Sequence, residues 1–133
     1  MQVVIFRLND EQFAVETAKV QNISDMMKIT KVPKAPKYIR GLINLRGNII
    51  SLLNLNLLLD IDNTSENQEN IIIISMDEEV VGISVDQVDE VLDVNESMIE
   101  AIGDSDRKAY IKGVIKFKDR IVTLVDIDKL ILS

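Results

Sequence analysis

The feature that most constrains what this 133-residue chain can fold into is that part of it occurs twice. The stretch from Tyr38 through Arg40, Gly41, Leu42, Asn44, Arg46, Gly47, Ile49 and Ser51 to Leu59 returns 72 residues later, from Tyr110 through Lys112, Gly113 and Arg120 to Ile131. Over these 22 positions seven residues are identical, where composition alone would give roughly one or two. Most of the remainder are exchanges within a class, such as Arg40 with Lys112, Ser51 with Thr123 and Asn54 with Asp126. A duplicated structural unit follows.

A weaker echo precedes it at an offset of 68. Residues 2–8, a polar break at Asn9-Asp10-Glu11, and Gln12 to Val15 read as a hairpin. Asn70 to Met76, Asp77-Glu78-Glu79 and Val80 to Val85 repeat that pattern, with Glu11/Glu79 and Val20/Val88 identical and the apolar register kept at Phe13/Val81, Val15/Ile83 and Ile23/Val91. The two offsets differ because the linkers differ: residues 24–37 against residues 92–109. Val32-Pro33-Lys34-Ala35-Pro36 forces extended or turn backbone in the first. Gly103-Asp104-Ser105-Asp106 marks the second as a surface loop, with a short helical turn expected at Glu96 to Glu100.

Inside the stronger repeat, Gly41 and Gly113 stand where backbone must bend or approach closely. Leu42 to Leu45 and Asn48 to Leu53 read as strands joined tightly at Arg46-Gly47. Leu55, Leu58 and Leu59, like Ile127, Leu130 and Ile131, have helical spacing, with Asn54 and Asp126 placed as N-caps. The polar run 60–70 is the natural boundary, giving halves of about 1–66 and about 67–133, each marginal alone, with exchange of strands between them left open. Four or five short strands per half predict a mainly all-β protein of two small barrels side by side, with a short helix ending each half.

Composition removes most chemistry. With no Cys and no His there is no thiolate, no imidazole acid/base and almost no soft-metal site. Asp86, Asp89, Glu90 and Asp93 invite a metal or glycosidase reading, but they alternate with Val85, Val88, Val91 and Leu92, as on the wet side of an amphipathic strand. The Gly41 to Gly47 spacing lacks a phosphate-loop or dinucleotide pattern. A net charge of −7 opposes nucleic acid and anionic membrane, so a protein partner is expected and no cofactor. The absence of a signal-peptide pattern or membrane span points to a soluble cytoplasmic protein.

Tyr38-Ile39-Arg40-Gly41-Leu42-Ile43-Asn44-Leu45-Arg46-Gly47-Asn48-Ile49-Ile50, preceded by Lys19-Val20-Gln21-Asn22-Ile23 and followed by Val81-Gly82-Ile83-Ser84-Val85-Asp86, resembles the CheW-like domain family of chemotaxis coupling proteins. The likeness is collinear over essentially the whole chain. It implies two five-stranded SH3-like barrels without catalytic activity, monomeric when free. As partners it implies the C-terminal regulatory domain of the histidine kinase CheA and the cytoplasmic tips of chemoreceptors, at the inner face of the membrane through receptor arrays. A CheW-like domain of a larger chemotaxis protein, or a small-molecule-binding β-barrel, is the alternative.

Position by position, Arg46 matches the family's receptor-coupling arginine, and a guanidinium on a turn can hold carboxylates or carbonyls in a fixed fork. Val20, Asn22 and Ile23 match its receptor-facing segment, and Val85 and Val88 extend the same groove, with core packing the competing role for the aliphatic ones. Asn22 stands where the family usually has Glu and cannot form a salt bridge. Ser51 and Asn54 replace the common Pro and Asp. The kinase contact is expected on the first barrel, at Leu42, Asn44, Gly47, Ile49 and Ser51, with Gly41 and Gly113 as structural turns.

Overall fold

Ile71 to Ile74 are four successive isoleucines, every one fully buried, and a strand accommodates such a run only when both of its faces are covered. The computed structural model of the protein, which describes residues 1–62, 67–102 and 109–132, shows how they are covered. Strands β1 (Gln2–Leu8) and β2 (Glu11–Glu16) form the first hairpin, and β3 (Val20–Asp25) follows a 3-10 turn over Thr17–Lys19. Strands β4 (Ile39–Leu45) and β5 (Asn48–Asn54) lead into the one-turn helix α1 (Leu55–Leu58). The second half runs β6 (Asn70–Ser75), β7 (Val80–Val85), β8 (Gln87–Asp93), β9 (Ile99–Glu100), β10 (Ile111–Lys116), β11 (Ile121–Val125) and α2 (Ile127–Leu132). Gly103 to Asp106 and part of the 60–70 connector lie outside the described residues.

These elements make two β subdomains, as the repeat predicts, but each draws on both halves of the chain. One sheet has the order β8-β1-β2-β11-β10-β9, the other β3-β6-β7-β5-β4. The hairpin β1-β2 therefore leaves its own half and pairs with β8 and β11, while β6-β7 pairs with β3 and β5. The registers are related by the offsets read from the sequence. Thr123 lies beside Phe13 in one parallel pairing, and Ser51 beside Val81 in the other. Even the irregularities correspond: β3 skips Gln21 between Val20 and Asn22, and β8 skips Asp89 between Val88 and Glu90.

Alternation along β1 and β6 distributes the core. Val3 and Ile5 face a cluster inside the six-stranded subdomain with Ile115, Val122 and Leu124. Ile71 and Ile73 face the equivalent cluster inside the five-stranded one with Ile43, Ile50 and Leu52. The other faces, Val4, Phe6 and Leu8 together with Ile72 and Ile74, meet in a third cluster between the subdomains, joined by Phe13, Ile83, Leu55 and Ile127. Phe6 and Phe13 stack there with centroids 6.0 Å apart. At roughly 1.5–3 kcal/mol per fully buried large aliphatic or Phe side chain, this seam is a principal source of cohesion.

Both predicted N-caps form. Asn54 Oδ1 accepts from Leu57 N at 3.2 Å, and Asp126 Oδ1 from Lys129 N at 3.3 Å. Two local expectations change. The turn expected at Glu96 to Glu100 is 3-10 helix over Glu96–Met98, after which Ile99 and Glu100 add β9 to the edge of β10. The acidic residues of β8 do not share one wet face: Asp93 is exposed as expected, but the Asp89 side chain is only 13% exposed and the apolar Val91 is 47% exposed. The bulge at Asp89 interrupts simple alternation there, so periodicity read across it puts the wrong residues outside.

Candidate interaction surfaces

The stretch Ile39 to Asn54 becomes a hairpin because its turn residues meet a strict demand. Arg46 and Gly47 have φ of 53° and 88°, the pair of positive values that a type I′ turn requires. Gly47 is there for that backbone alone, since a Cβ on it would meet nothing within 4 Å. Asn44 Oδ1 accepts from Gly47 N at 2.8 Å and holds the turn. Arg46 gives no such relief: a non-glycine residue in the left-handed region costs of order 1 kcal/mol. Its side chain is exposed and takes part in no ion pair among the described residues.

Gly41 acts differently. A Cβ there would lie 2.4 Å from Thr30 O, because Thr30 and Leu42 exchange backbone hydrogen bonds of 2.9 and 2.8 Å across β4. Gly113 repeats this against Glu100 O at 2.6 Å. Both expected turn glycines are thus sites of close backbone approach, beside register shifts at Ile39/Gly41 and Ile111/Gly113.

The expected site residues fall into two groups. Asn44, Arg46 and Gly47 are exposed on the β4-β5 hairpin, where Ile49 is 65% exposed and Leu42 and Ser51 are half-buried. Arg46 therefore shares a hairpin with the residues expected to meet the kinase. Val20, Asn22 and Ile23 lie half-buried on β3, and Val88 half-buried on β8, with all three aliphatic members packed against the seam cluster. Val85 is fully buried and offers no surface, because β7 is covered on both faces. Among the described residues no hydrogen bond joins Asn22 to Arg46; the Asn22 amide oxygen accepts from Ile23 N at 2.8 Å.

What unites β3 with β8 is a residue that sequence reasoning passed over. Asn70 Oδ1 accepts from Val88 N at 2.9 Å, and its Nδ2 donates to Ser24 O at 3.5 Å, so one amide bridges the two edge strands. Beside it a polar network crosses the seam. Gln68 accepts from Arg40 Nη1 at 2.9 Å and donates to Asn56 at 3.1 Å and to Asp86 at 3.2 Å. Asp86 also accepts from Asn9 N at 2.9 Å. Burial lowers the Arg40 pKa from its ordinary value. Nothing in hydrophobic patterning announces such amides, although their clustering between two apolar strands is a usable hint.

Asp89 and Glu90 have partners of another kind. Asp89 takes Arg7 Nη2 on both oxygens at 3.2 Å and Gln12 at 2.8 Å, while Glu90 holds Arg120, whose guanidinium lies 4.8 Å from the Phe117 ring centre. Lys19 is paired with Asp128 at 2.6 Å, which raises its pKa. Among the described residues no group of three or more acidic, His or Cys side chains could hold a metal. No described helix is long and apolar enough to cross a membrane.

Known proteins agree with this architecture. The model of the CheW-like domain matches residues 2–133. A chemotaxis protein CheW of Thermotoga maritima is 31% identical over 131 residues, covering 98% of this chain and 87% of the relative. A chemotaxis protein CheW of Bacillus subtilis is 30% identical, covering 94% and 83%. The crystal structure of the scaffolding protein TtCheW from Thermoanaerobacter tengcongensis superposes with a TM-score of 0.87 at 29% identity, over 97% of this chain and 90% of that one. With its repeat, its two β subdomains and its length all accounted for, the chain belongs to the CheW-like domain family.

Proposed function

We propose that the protein is a non-catalytic adaptor that couples the cytoplasmic tips of chemoreceptors to the histidine kinase CheA in chemotaxis signalling. The observation that carries this reading is the division of the candidate residues into two surfaces on one body, the seam edge of β3 and β8 and the β4-β5 hairpin. A coupler needs two partners held at once on separate surfaces. In this reading the receptor lies along Val20, Asn22, Ile23 and Val88, and the kinase regulatory domain along Leu42, Asn44, Gly47, Ile49 and Ser51. Arg46 stands exposed on the kinase hairpin, and in this reading its guanidinium meets the receptor.

Membership of the CheW-like domain family and likeness to a scaffolding protein support a role in assembly. Asn22 contributes hydrogen bonding without charge, so this receptor contact carries no ion pair at that position. The protein acts in the cytoplasm, as a monomer recruited to receptor arrays. Purified protein mixed with a kinase regulatory domain and a receptor-tip fragment, separately and together, tests the proposal by pull-down. Each pair and the three-way complex should form, and partners that displace one another would overturn it.

A further inference from the structure

The linker between β3 and β4 has a charge pattern that the coupling reading does not use. Lys28, Lys31, Lys34 and Lys37 recur every three residues, and no acidic residue occurs from Met26 to Arg40, in a chain whose net charge is −7. All four lysines are exposed. None takes part in an ion pair among the described residues.

The segment is also held in shape. Ala35 N donates to Val32 O at 3.3 Å, with Pro33 and Lys34 at the centre and Lys34 at φ 64°, the geometry of a type II turn. Ile39 N closes a second turn onto Pro36 O at 3.0 Å, Tyr38 O accepts from Asn54 N at 2.7 Å, and Thr30 is clamped to Leu42. Lys34 therefore occupies a position where Gly or Asn is usual. Within this basic run Val32 and Tyr38 are 39% and 44% exposed. A backbone already held in shape beneath four cations and two apolar side chains has little of its own conformational freedom to lose on binding.

We propose that this loop is an electrostatic docking element for a short acidic segment of a partner protein. Charge complementarity defines the occupant's chemistry, and the surroundings limit its size. Asp25 and Glu69 are exposed at the loop's base, where Met26 N donates to Glu69 O. The net charge of −7 on the whole chain opposes an extended anionic surface such as a membrane or a duplex, whereas a short acidic peptide meets the basic run alone, with the exposed Val32 and Tyr38 to receive its apolar side chains. The inference goes beyond the coupling role and does not depend on which surface takes kinase or receptor.

The test uses the whole protein with a fluorescein-labelled glutamate-rich peptide containing Leu and Phe, followed by anisotropy at low and physiological salt. The variant K28Q/K31Q/K34Q/K37Q should weaken binding at least about tenfold while keeping the parent's melting temperature. K118Q/K129Q, which changes two exposed lysines elsewhere, should bind like the parent. The parent's affinity should fall as salt rises. Equal binding by the quadruple variant would overturn the proposal. So would tighter loop-dependent binding of phosphatidylserine vesicles or duplex DNA than of the peptide at matched salt.

Discussion

The two tight turns of the duplicated unit began as the same structure and have been put to different uses. In the first copy Arg46 is strained, exposed and outside any ion pair among the described residues. In the second, Lys118 stands at the place of Arg46, exposed as well but without a positive φ, while Arg120, at the place of Asn48, is drawn back against the sheet by Glu90 and the Phe117 ring, and Phe117 N closes the turn onto Arg120 O at 2.9 Å. One turn spends stability on presentation and the other adds stability through a folded-down cation. The positions beneath them have hardly diverged, since Ile49 and Ile121 are 65% and 64% exposed and Gly41 and Gly113 meet the same kind of carbonyl. Duplication preserved the scaffold and released the tips.

If the scaffold is shared, Gly41→Val and Gly113→Val should both do severe damage, the larger at Gly41, whose φ of 152° itself disfavours a side chain. Each forces a side chain onto a backbone oxygen, at an expected loss of about 3 kcal/mol or more by urea denaturation. Stability within 1 kcal/mol of the parent for either would break the equivalence. The seam bridge comes next. Asn70→Ala leaves Val88 N without its acceptor and should lower stability by about 1–2 kcal/mol, with faster amide exchange at Val88. The turns should then separate: Arg120→Ala should lose about 1–2 kcal/mol through its ion pair and ring contact, whereas Arg46→Ala should stay within about 0.5 kcal/mol while weakening receptor coupling. A sharp fall in melting temperature for Arg46→Ala, with arrays assembling normally, would remove Arg46 from the functional surface. The smallest effect sharpens the contrast most. Arg46→Asn should raise stability by about 0.5 kcal/mol, because Asn tolerates the left-handed region, and should still impair coupling.

Much of this architecture was legible beforehand. The repeat located both hairpins and both terminal helices, and the caps Asn54 and Asp126 and the glycines 41 and 113 came from local chemistry with few solutions. Strand partners were not legible. Alternation says which face of a residue is buried and is silent on which strand lies beside it, so nothing in Val20 to Asp25 discloses pairing with β6 rather than with its own hairpin. Resemblance places Val85 in the groove, with core packing as its competing role, and it is core, since β7 has both faces covered. The bulge at Asp89 likewise carries no sequence signature strong enough to correct the register of Val91. On the candidate surfaces, resemblance supplied the β3 and β4-β5 residues, while Asn70 depended on a geometry that only the exchange of strands creates.

That exchange has a consequence for how the polypeptide is made. During synthesis the five-stranded sheet has all of its strands once residue 85 has emerged, but β2 must wait for a neighbour, β11, translated more than a hundred residues after it. Until then the opening hairpin carries Val3 and Ile5 uncovered beside the unpaired edge of β2, the kind of nascent surface on which aggregation begins and chaperones settle. Ribosome-bound intermediates should therefore be half finished in a particular order, with the middle of the chain closed first and its two ends meeting last.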